Sequence, residues 1–485
     1  MSELSQLSPQ PLWDIFAKIC SIPHPSYHEE ELAQYILSWA AEQGFSTDRD
    51  EVGNILIRKP ATPGLENLKP VALQAHLDMV PQKNNDTVHD FTKDPIQPWV
   101  DGEWVKARGT TLGADNGIGM ASALAVLADK TVQHGPLEVL LTMTEETGMV
   151  GAFGLQPNWL QADILINTDS EEEGEIYMGC AGGIDFTSTL PLSREAVPAG
   201  FEHLQLILKG LKGGHSGADI HVGLGNANKL LARFLFAHAK EWDLRLVDFT
   251  GGTLRNAIPR EAIATLAVPA ARVDELKSLA LSYVETLQNE LSLKEKNINV
   301  VVEHVAAGQQ ALTAKSRDAF IALLNSMPNG VIRNSDVMKG VVETSLNVGV
   351  VVMTQEEAKI NCLVRSLIDS GKEYLVESLT ALGELAGAKT VAKGSYPGWQ
   401  PDASSPVMAI VGETYKKLFN KTPNIQVIHA GLECGLFKKP YPEMDMVSIG
   451  PTITGPHSPD EQVHIESVGL YWKLLTELLK AIPAK

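Results

Sequence analysis

The chain has 485 residues, of which 44% are hydrophobic and 20% are charged, and its formal net charge is -19. Domains hold roughly 100 to 200 residues each, so this length predicts two or three folding units. The acidic balance argues against binding nucleic acid or an anionic membrane through a broad basic surface. Small molecules are therefore the expected partners.

The first residues lack the basic and apolar regions of a secretory signal, and no apolar run is long enough to span a bilayer. The sequence therefore predicts a cytoplasmic protein that does not enter a membrane. Its four cysteines form no Cys-x-x-Cys pair, which indicates reduced thiols rather than disulfides or a thiolate metal site. They are Cys20, Cys180, Cys362 and Cys434.

Helix-period and strand-period segments alternate up to about residue 185, which predicts an α/β architecture with helices packed on a mixed sheet. The predicted helices cover residues 29–43 and 117–128, and the predicted strands cover residues 54–57, 71–76, 137–142 and 163–167. The same texture resumes near residue 398, with helices at 406–419 and 466–481 and strands at 425–429 and 446–449.

The middle of the chain differs, because its strands alternate with longer helices in two successive β-α-β-β-type units. Its predicted strands are 203–209, 256–268, 297–304, 343–352, 359–368 and 389–393, and its predicted helices are 226–240, 273–290, 317–325 and 372–386. This pattern is typical of a doubled ferredoxin-like α+β layer. We therefore predict one α/β domain built from residues 1–186 and 398–485, with residues 187–397 inserted as a lid.

A histidine and an aspartate stand at the end of a predicted buried strand, in the segment His76-Leu-Asp78-Met-Val-Pro81. Side chains two apart on a strand point to the same side, so Asp78 can accept a hydrogen bond from one nitrogen of His76. The other nitrogen would then be available to a metal. A chance pairing at a strand end is equally compatible with this segment alone.

Carboxylates mark two further loops. Asp115 opens a predicted helix, where it can cap the helix or bridge metals. Glu145 and Glu146 directly follow the strand at 137–142. Adjacent carboxylates repel each other, and proteins tolerate this where cations or proton transfer offset the cost. One glutamate can then bind a metal while the other acts as a general base; a solvated acidic loop is the alternative.

The last two candidate ligands also follow predicted strands. Asp169 ends one of them and precedes the acidic run Glu171-Glu172-Glu173, which we interpret as solvated surface. His457 lies in a loop rich in glycine and proline. Active sites in α/β sheets collect at the carboxyl edge, and two imidazoles with three carboxylates suit zinc, with manganese or cobalt as substitutes. The complete predicted set is His76, Asp115, Glu146, Asp169 and His457.

In this order the segments resemble the metal-binding segments of the zinc-dependent aminoacylase, glutamate carboxypeptidase and carnosine dipeptidase family. The lid segments Gly213-Gly-His215-Ser-Gly217, Gly223-Leu-Gly-Asn226 and Gly251-Gly-Thr-Leu-Arg-Asn256-Ala-Ile-Pro259 also fit, so the resemblance spans nearly the whole chain. It implies a zinc-peptidase catalytic domain with an inserted lid and two Zn²⁺ per chain.

The resemblance implies a role for each site residue. Asp115 would bridge the two ions, with His76 and Asp169 on one and Glu146 and His457 on the other. Glu145 would be the general base for a metal-bridging water. Asp78 would orient His76, and His215 would polarise the scissile carbonyl. The family also implies a cis peptide bond after the bridging Asp115.

The resemblance further implies hydrolysis of dipeptides with a free amino terminus, because Asp169 is typical of the peptidase branches. The segment around Asp115 and the doubled lid favour Xaa-His dipeptides, including β-alanyl-histidine. Arg365 is a candidate clamp for the substrate carboxylate, and Asn256 and Glu433 are weaker candidates for substrate contact. For Arg365 a surface arginine, and for Glu433 a simple helix start, are the competing interpretations.

Two questions stay open at this level. The doubled lid favours His215 acting within its own chain, and either a monomer or a homodimer fits the sequence. The alternative functions are an N-acyl amino acid hydrolase or carboxypeptidase of the same family, or a metal-binding protein without catalysis. Retention of Glu145 beside a full ligand set argues against the last.

Overall fold

A computed structural model describes residues 3–84, 86–306 and 310–485. The chain forms two compact units. The first comprises the chain up to Gly179 together with Pro401–Val427 and Leu432–Lys485, and the second comprises Cys180–Gln400 and Ile428–Gly431. The sequence-based domain limits at 187 and 397 stay a prediction, and a strand that begins at Gly182 already crosses the first of them.

The amino-terminal part of the first unit alternates helices and strands. In chain order they are α1 (Gln10–Cys20), α2 (Glu30–Glu42), β1 (Ser46–Arg49), β2 (Ile55–Lys59), β3 (Val71–His76), β4 (Pro98–Asp101), β5 (Trp104–Ala107), α3 (Ala114–Ala128), β6 (Leu137–Thr142), α4 (Val150–Gly154), β7 (Ile164–Asn167) and β8 (Glu175–Cys180).

The second unit follows, and most of its elements are strands. They are β9 (Gly182–Pro191), β10 (Arg194–Ala196), β11 (Phe201–Lys209), β12 (Gly214–His215), α5 (Ala227–His238), β13 (Arg245–Gly251), β14 (Ala257–Ile258), β15 (Ala262–Pro269), α6 (Val273–Leu291), β16 (Asn299–His304), β17 (Gln310–Leu312), α7 (Ala314–Ser326), β18 (Gly330–Asn334), β19 (Val342–Met353), β20 (Glu357–Ser366), α8 (Asp369–Ala386) and β21 (Lys389–Tyr396).

The chain then returns to the first unit. Its last elements are α9 (Pro406–Phe419), β22 (Asn424–Ile428), α10 (Glu433–Phe437), β23 (Asp445–Ser448), β24 (Ile453–Thr454), β25 (Gln462–His464) and α11 (Ile465–Ala481). No described helix is both long and apolar enough to cross a bilayer. None of the four cysteines forms a disulfide, and all four are buried.

The main sheet of the first unit is mixed, in the order β1-β2-β6-β3-β7-β23-β8-β22. Its central strands β6, β3, β7 and β23 are parallel, and β2 and β8 pair with them antiparallel. Every residue of β3, β6 and β7 is buried, which is typical of parallel strands covered by helices. The predicted mixed α/β class is therefore confirmed.

Nine strands of the second unit form one large antiparallel sheet, in the order β16-β11-β15-β13-β19-β20-β9-β21, with β18 beside β19, and β10-β17 and β12-β14 form two separate pairs. Its helices pack apolar faces against this sheet around a large hydrophobic cluster. The predicted continuous strand at 256–268 is wrong, because it divides into β14 and β15 at Pro259 and Arg260. The sequence also missed β9 and β13, which are interior strands of the sheet.

Candidate metal centre

Polar side chains follow the parallel strands at the centre of the first sheet. His76 ends β3, Glu146 follows β6 and Asp169 follows β7. His457 lies in the loop between β24 and β25, and Asp115 lies in the first turn of α3. Because parallel strands end at the same edge, the structure brings all five predicted ligands together at the carboxyl edge of the sheet.

Asp78 contacts both His76 and the loop that carries the two glutamates. His76 Nδ1 lies 3.0 Å from the main-chain oxygen of Asp78 and 3.3 Å from its carboxylate. The same carboxylate accepts hydrogen bonds from the main-chain N–H groups of Glu145 at 2.8 Å and Glu146 at 3.2 Å. Asp78 therefore leaves Nε2 of His76 facing the centre and also holds the turn after β6.

Asp115 lies between two histidines, with one carboxylate oxygen directed to each. Its Oδ1 is 3.1 Å from His76 Nε2, and that nitrogen is 3.3 Å from Asp169 Oδ1. Its Oδ2 is 3.3 Å from His457 Nε2, and that nitrogen is 3.0 Å from Glu146 Oε2. The result is two histidine–carboxylate groups that share one aspartate. The Asp115-Asn116 peptide is cis, as the resemblance predicts.

The donor set fits a divalent metal. The ligand atoms of His76, Asp115 and Glu146 all lie within 4.8 Å of one another. Glu146 Oε1 is buried and has no hydrogen-bond partner among the described residues. Such an orphaned oxygen is costly unless a cation or a proton satisfies it. Imidazole and carboxylate donors suit Zn²⁺, Co²⁺ and Mn²⁺.

The electrostatics of the cluster indicate a place for positive charge. Burial raises the pKa of Glu146 to about 7, and the nearby Asp115 carboxylate contributes. Hydrogen bonds to Asp115 and Glu146 raise the pKa of His457 to about 11. Burial also raises the pKa of Asp169. Several carboxylates gathered in a buried site are stabilised in their ionised form when a cation binds between them.

Glu145, the predicted general base, is close enough to the candidate ligands for their charges to act on it. Burial raises the pKa of its carboxyl well above the usual range, and the charges of Asp169, Glu146 and Glu433 act in the same direction, whereas His76 opposes them. The preceding Thr144 has a positive φ of 51°, and this turn separates the two glutamates from β6. Adjacent residues therefore present one carboxylate to the ligand group and one beside it.

The sequence did not identify Glu461 as part of the site. It is 2% exposed and accepts hydrogen bonds from three main-chain N–H groups, those of Leu112 at 2.8 Å, Gly113 at 3.0 Å and Asp115 at 3.1 Å. Because Glu461 lies four residues after His457, these hydrogen bonds connect the loop of His457 to the loop of Asp115. The sequence offers one signal for Glu461, which is an acidic residue four positions after the candidate ligand His457.

The interpretation of the acidic run after Asp169 as solvated surface is wrong for Glu171. Burial raises the pKa of its carboxyl to about 9, and the charges of Asp115, Asp169 and Glu146 add to this increase. Its side chain therefore lies within the electrostatic field of the ligand cluster. Glu172 is exposed, as predicted. A run of like residues cannot show which member points inward.

Glu433 is fully buried at the start of α10. One carboxylate oxygen accepts hydrogen bonds from Gln74 at 2.6 Å and Thr142 at 2.8 Å. The other oxygen, Oε1, is buried without a partner among the described residues. Burial raises the pKa of this carboxyl to about 8. Glu433 does begin a helix, but a helix start alone does not explain why its carboxylate is fully buried.

The remaining predicted residues lie in the second unit. His215 is on β12 and Asn256 immediately precedes β14, with which β12 pairs. Arg365 lies on β20 and is 5% exposed, so the surface interpretation of this arginine is wrong. Its guanidinium contacts the hydroxyls of Tyr396 at 3.1 Å and Ser216 at 3.4 Å. No carboxylate of the described residues lies within ion-pair distance of it.

Comparisons with known proteins establish the family of this chain. The sequence model described as "Peptidase family M20/M25/M40" matches residues 72–481. The chain is 80% identical over 485 residues to the cytosol non-specific dipeptidase of Escherichia coli K12, covering 100% of both proteins. The chain therefore belongs to the M20/M25/M40 peptidase family, and it is a hydrolase of peptide bonds.

Two solved structures show how far the fold extends. The aminoacylhistidine dipeptidase of Vibrio alginolyticus has a TM-score of 0.91 and 62% sequence identity, with 100% of this chain and 99% of that chain covered. The aminopeptidase PepT of Bacillus cereus has a TM-score of 0.58 at 16% identity, with 98% and 99% covered. The second likeness concerns the fold alone.

Proposed function

We propose that this chain is a dinuclear metal-dependent dipeptidase that cleaves dipeptides with a free amino terminus, including Xaa-His dipeptides such as β-alanyl-histidine. The observation that carries the proposal is the pair of histidine–carboxylate groups that share Asp115 beside Glu145. The E. coli relative is named a cytosol enzyme, and we propose the same compartment for this chain. Whether it is a monomer or a homodimer stays a prediction.

The proposed metal set is His76 and Asp169 on one ion, Glu146 and His457 on the other, and Asp115 on both. A bound pair of Zn²⁺, with Co²⁺ or Mn²⁺ as substitutes, would supply Lewis acidity to the scissile carbonyl and to the attacking water. Asp78 would keep Nε2 of His76 directed to the metal through its contacts with Nδ1.

Glu145 would accept the proton of the attacking water and pass it to the leaving amine. Two carboxylates accept three hydrogen bonds from the loop that carries it. Asp78 accepts from the main-chain N–H of Glu145, and the buried Glu29 accepts from both the main-chain N–H and the hydroxyl of Thr144. A fixed main chain would keep the Glu145 carboxylate within hydrogen-bond reach of the attacking water, which general-base catalysis requires.

His215 would donate a hydrogen bond to the scissile carbonyl oxygen. Its Nδ1 lies within hydrogen-bond distance of the main-chain N–H groups of Gly217 at 3.3 Å and Ala218 at 3.0 Å. An Nδ1 that accepts from main-chain donors belongs to the tautomer with hydrogen on Nε2. The guanidinium of Arg365, which is also a donor, lies 3.5 Å from that nitrogen, so in this tautomer the two groups face the same space as donors. That tautomer can stabilise a developing oxyanion, which supports the proposed role.

Arg365 would bind the carboxylate of the dipeptide, because a buried guanidinium without a carboxylate partner retains donors for a planar anion. Replacement by lysine should raise KM for free dipeptides about 10- to 100-fold, the range expected for a hydrogen bond to a charged group. C-terminally amidated dipeptides should show little change. Steady-state kinetics on both substrates measure the difference.

Arg317 offers a matched control, since it is also 5% exposed and lies in the same unit. Its guanidinium contacts the main-chain oxygen of Leu244 and the neighbouring Asp318. Arg317→Lys should leave KM for both substrates near that of the wild type. An equal loss on free and amidated dipeptides in Arg365→Lys would remove Arg365 from carboxylate binding.

A substrate panel tests the proposal as a whole. The names of the two relatives differ in breadth, since one is called non-specific and the other aminoacylhistidine. We expect free dipeptides to be cleaved by protein loaded with zinc, cobalt or manganese, Xaa-His substrates to be among them, and metal-free protein to be inactive. Cleavage of N-acetylated amino acids or longer peptides in preference to dipeptides would instead favour an N-acyl hydrolase or a carboxypeptidase.

A further inference from the structure

Asn347 is a buried residue of β19 that holds the segment carrying Asn256. It is 1% exposed. Its side-chain amide donates to the main-chain oxygens of Arg255 at 2.9 Å and Ala257 at 2.8 Å. One NH₂ group thus binds the main chain on both sides of Asn256. Both bonds connect β19 to the segment that precedes β15 and includes β14.

The same segment is bonded directly to the segment that carries His215. Residue pairs Gly214–Ile258 and His215–Ala257 form the short antiparallel ladder of β12 and β14. The main-chain N–H of Ser216 also donates to the oxygen of Asn256 at 2.9 Å. A shift of 255–257 would therefore move the main chain of His215 as well.

β19 has an irregularity where residues 255–257 approach it. Its pairing with β20 shifts register between Val348 and Val350, which indicates a β-bulge at Gly349. A Cβ at Gly349 would lie 2.5 Å from the Cα of Arg255, so only glycine leaves room for this close approach. The bulge and Asn347 together bring the loop onto the sheet and hold it there.

We propose that Asn347 is a positioning residue that sets the main-chain position of Asn256 and, through the β12–β14 ladder, of His215. This inference rests on the proposed function, in which His215 acts on the scissile carbonyl. Nothing in the substrate chemistry requires Asn347 itself to touch the dipeptide. Its contribution is geometric, and displacements of about 1 Å at a reacting group can lower rates about 100-fold.

Asn347→Ala should lower kcat for a free dipeptide about 100-fold, change KM less, and leave the bound metal unchanged. The matched control is Asn361→Ala on the neighbouring strand, where the side-chain oxygen accepts from the hydroxyl of Thr187 at 2.9 Å. This control should keep wild-type kcat. Equal kcat losses in the two variants would overturn the proposal.

A double-mutant cycle separates positioning from general destabilisation. If Asn347 acts through His215, then Asn347→Ala should cost little further activity in a His215→Ala background. Fully additive losses would contradict the proposal. If Asn347→Ala does not fold, Gly349→Ala gives an independent perturbation that keeps the Asn347 side chain. This variant should also lower kcat.

Hydrogen exchange tests the positioning without relying on turnover. The Ser216 N–H should exchange faster in Asn347→Ala than in wild type, because its acceptor is released, and it should be unchanged in Asn361→Ala. Unchanged exchange at Ser216 would refute the inference. If wild-type protein cleaved no dipeptide, the proposed function would fail while this measurement would still decide whether Asn347 holds the segment.

Discussion

Replacement of Glu145 by glutamine should lower kcat about 100- to 10,000-fold while both metal ions remain bound, because general-base catalysis contributes roughly this factor. Glutamine keeps the size of the side chain but cannot accept the proton of the attacking water. The proposed ligand Glu146 is the next residue, and its main-chain N–H has its own hydrogen bond to the Asp78 carboxylate. Turnover of a free dipeptide and elemental analysis of the purified protein measure the two quantities.

Glu172→Gln is the control for this experiment, since it makes the same change to an exposed glutamate near the site. It should keep wild-type turnover and metal content. Near-normal turnover in Glu145→Gln would assign the base elsewhere. Loss of metal in that variant would instead make Glu145 a ligand, contrary to the proposed division of roles between the two glutamates.

The positions of His76, Glu146 and Asp169 were predictable because each residue ends or follows a strongly apolar strand. The pattern placed β3 at 71–76 and β6 at 137–142, and the structure has the same bounds. Parallel strands then bring their carboxyl ends together without further information. This explains why candidate ligands that are far apart in the sequence could be assigned to one site.

Other features depended on contacts that a local pattern does not contain. Glu461 and Glu171 both follow a candidate ligand in an acidic loop, and hydropathy predicts such residues to be exposed. Three main-chain N–H groups donate to Glu461 and offset part of the cost of its burial, which still raises its pKa to about 7. Those donors belong to a loop almost 350 residues away, so only the folded chain shows the reason for its burial.

The second unit was harder to predict for a related reason. Two successive β-α-β-β-type units describe its elements in order, but most of the strands join into one antiparallel sheet in which β9 pairs with β20 and β21. β9 begins with two glycines and continues with serine and threonine, so its apolar signal is weak. Long-range pairing, rather than local propensity, makes it a strand.

Replacement of His457 by alanine should reduce the metal content from two ions per chain to about one and lower turnover at least about 100-fold, since each ion supplies several kcal/mol of charge stabilisation. His457 Nε2 lies 3.3 Å from Asp115 Oδ2 and 3.0 Å from Glu146 Oε2, so the change removes the imidazole that contacts both of these carboxylates. The group of His76 keeps its own imidazole and should retain its ion.

His304→Ala, at a half-exposed histidine of the second unit, should keep both ions. Elemental analysis and chelator competition measure the content, and a His457→Ala protein that still holds two ions would overturn the proposed ligand set.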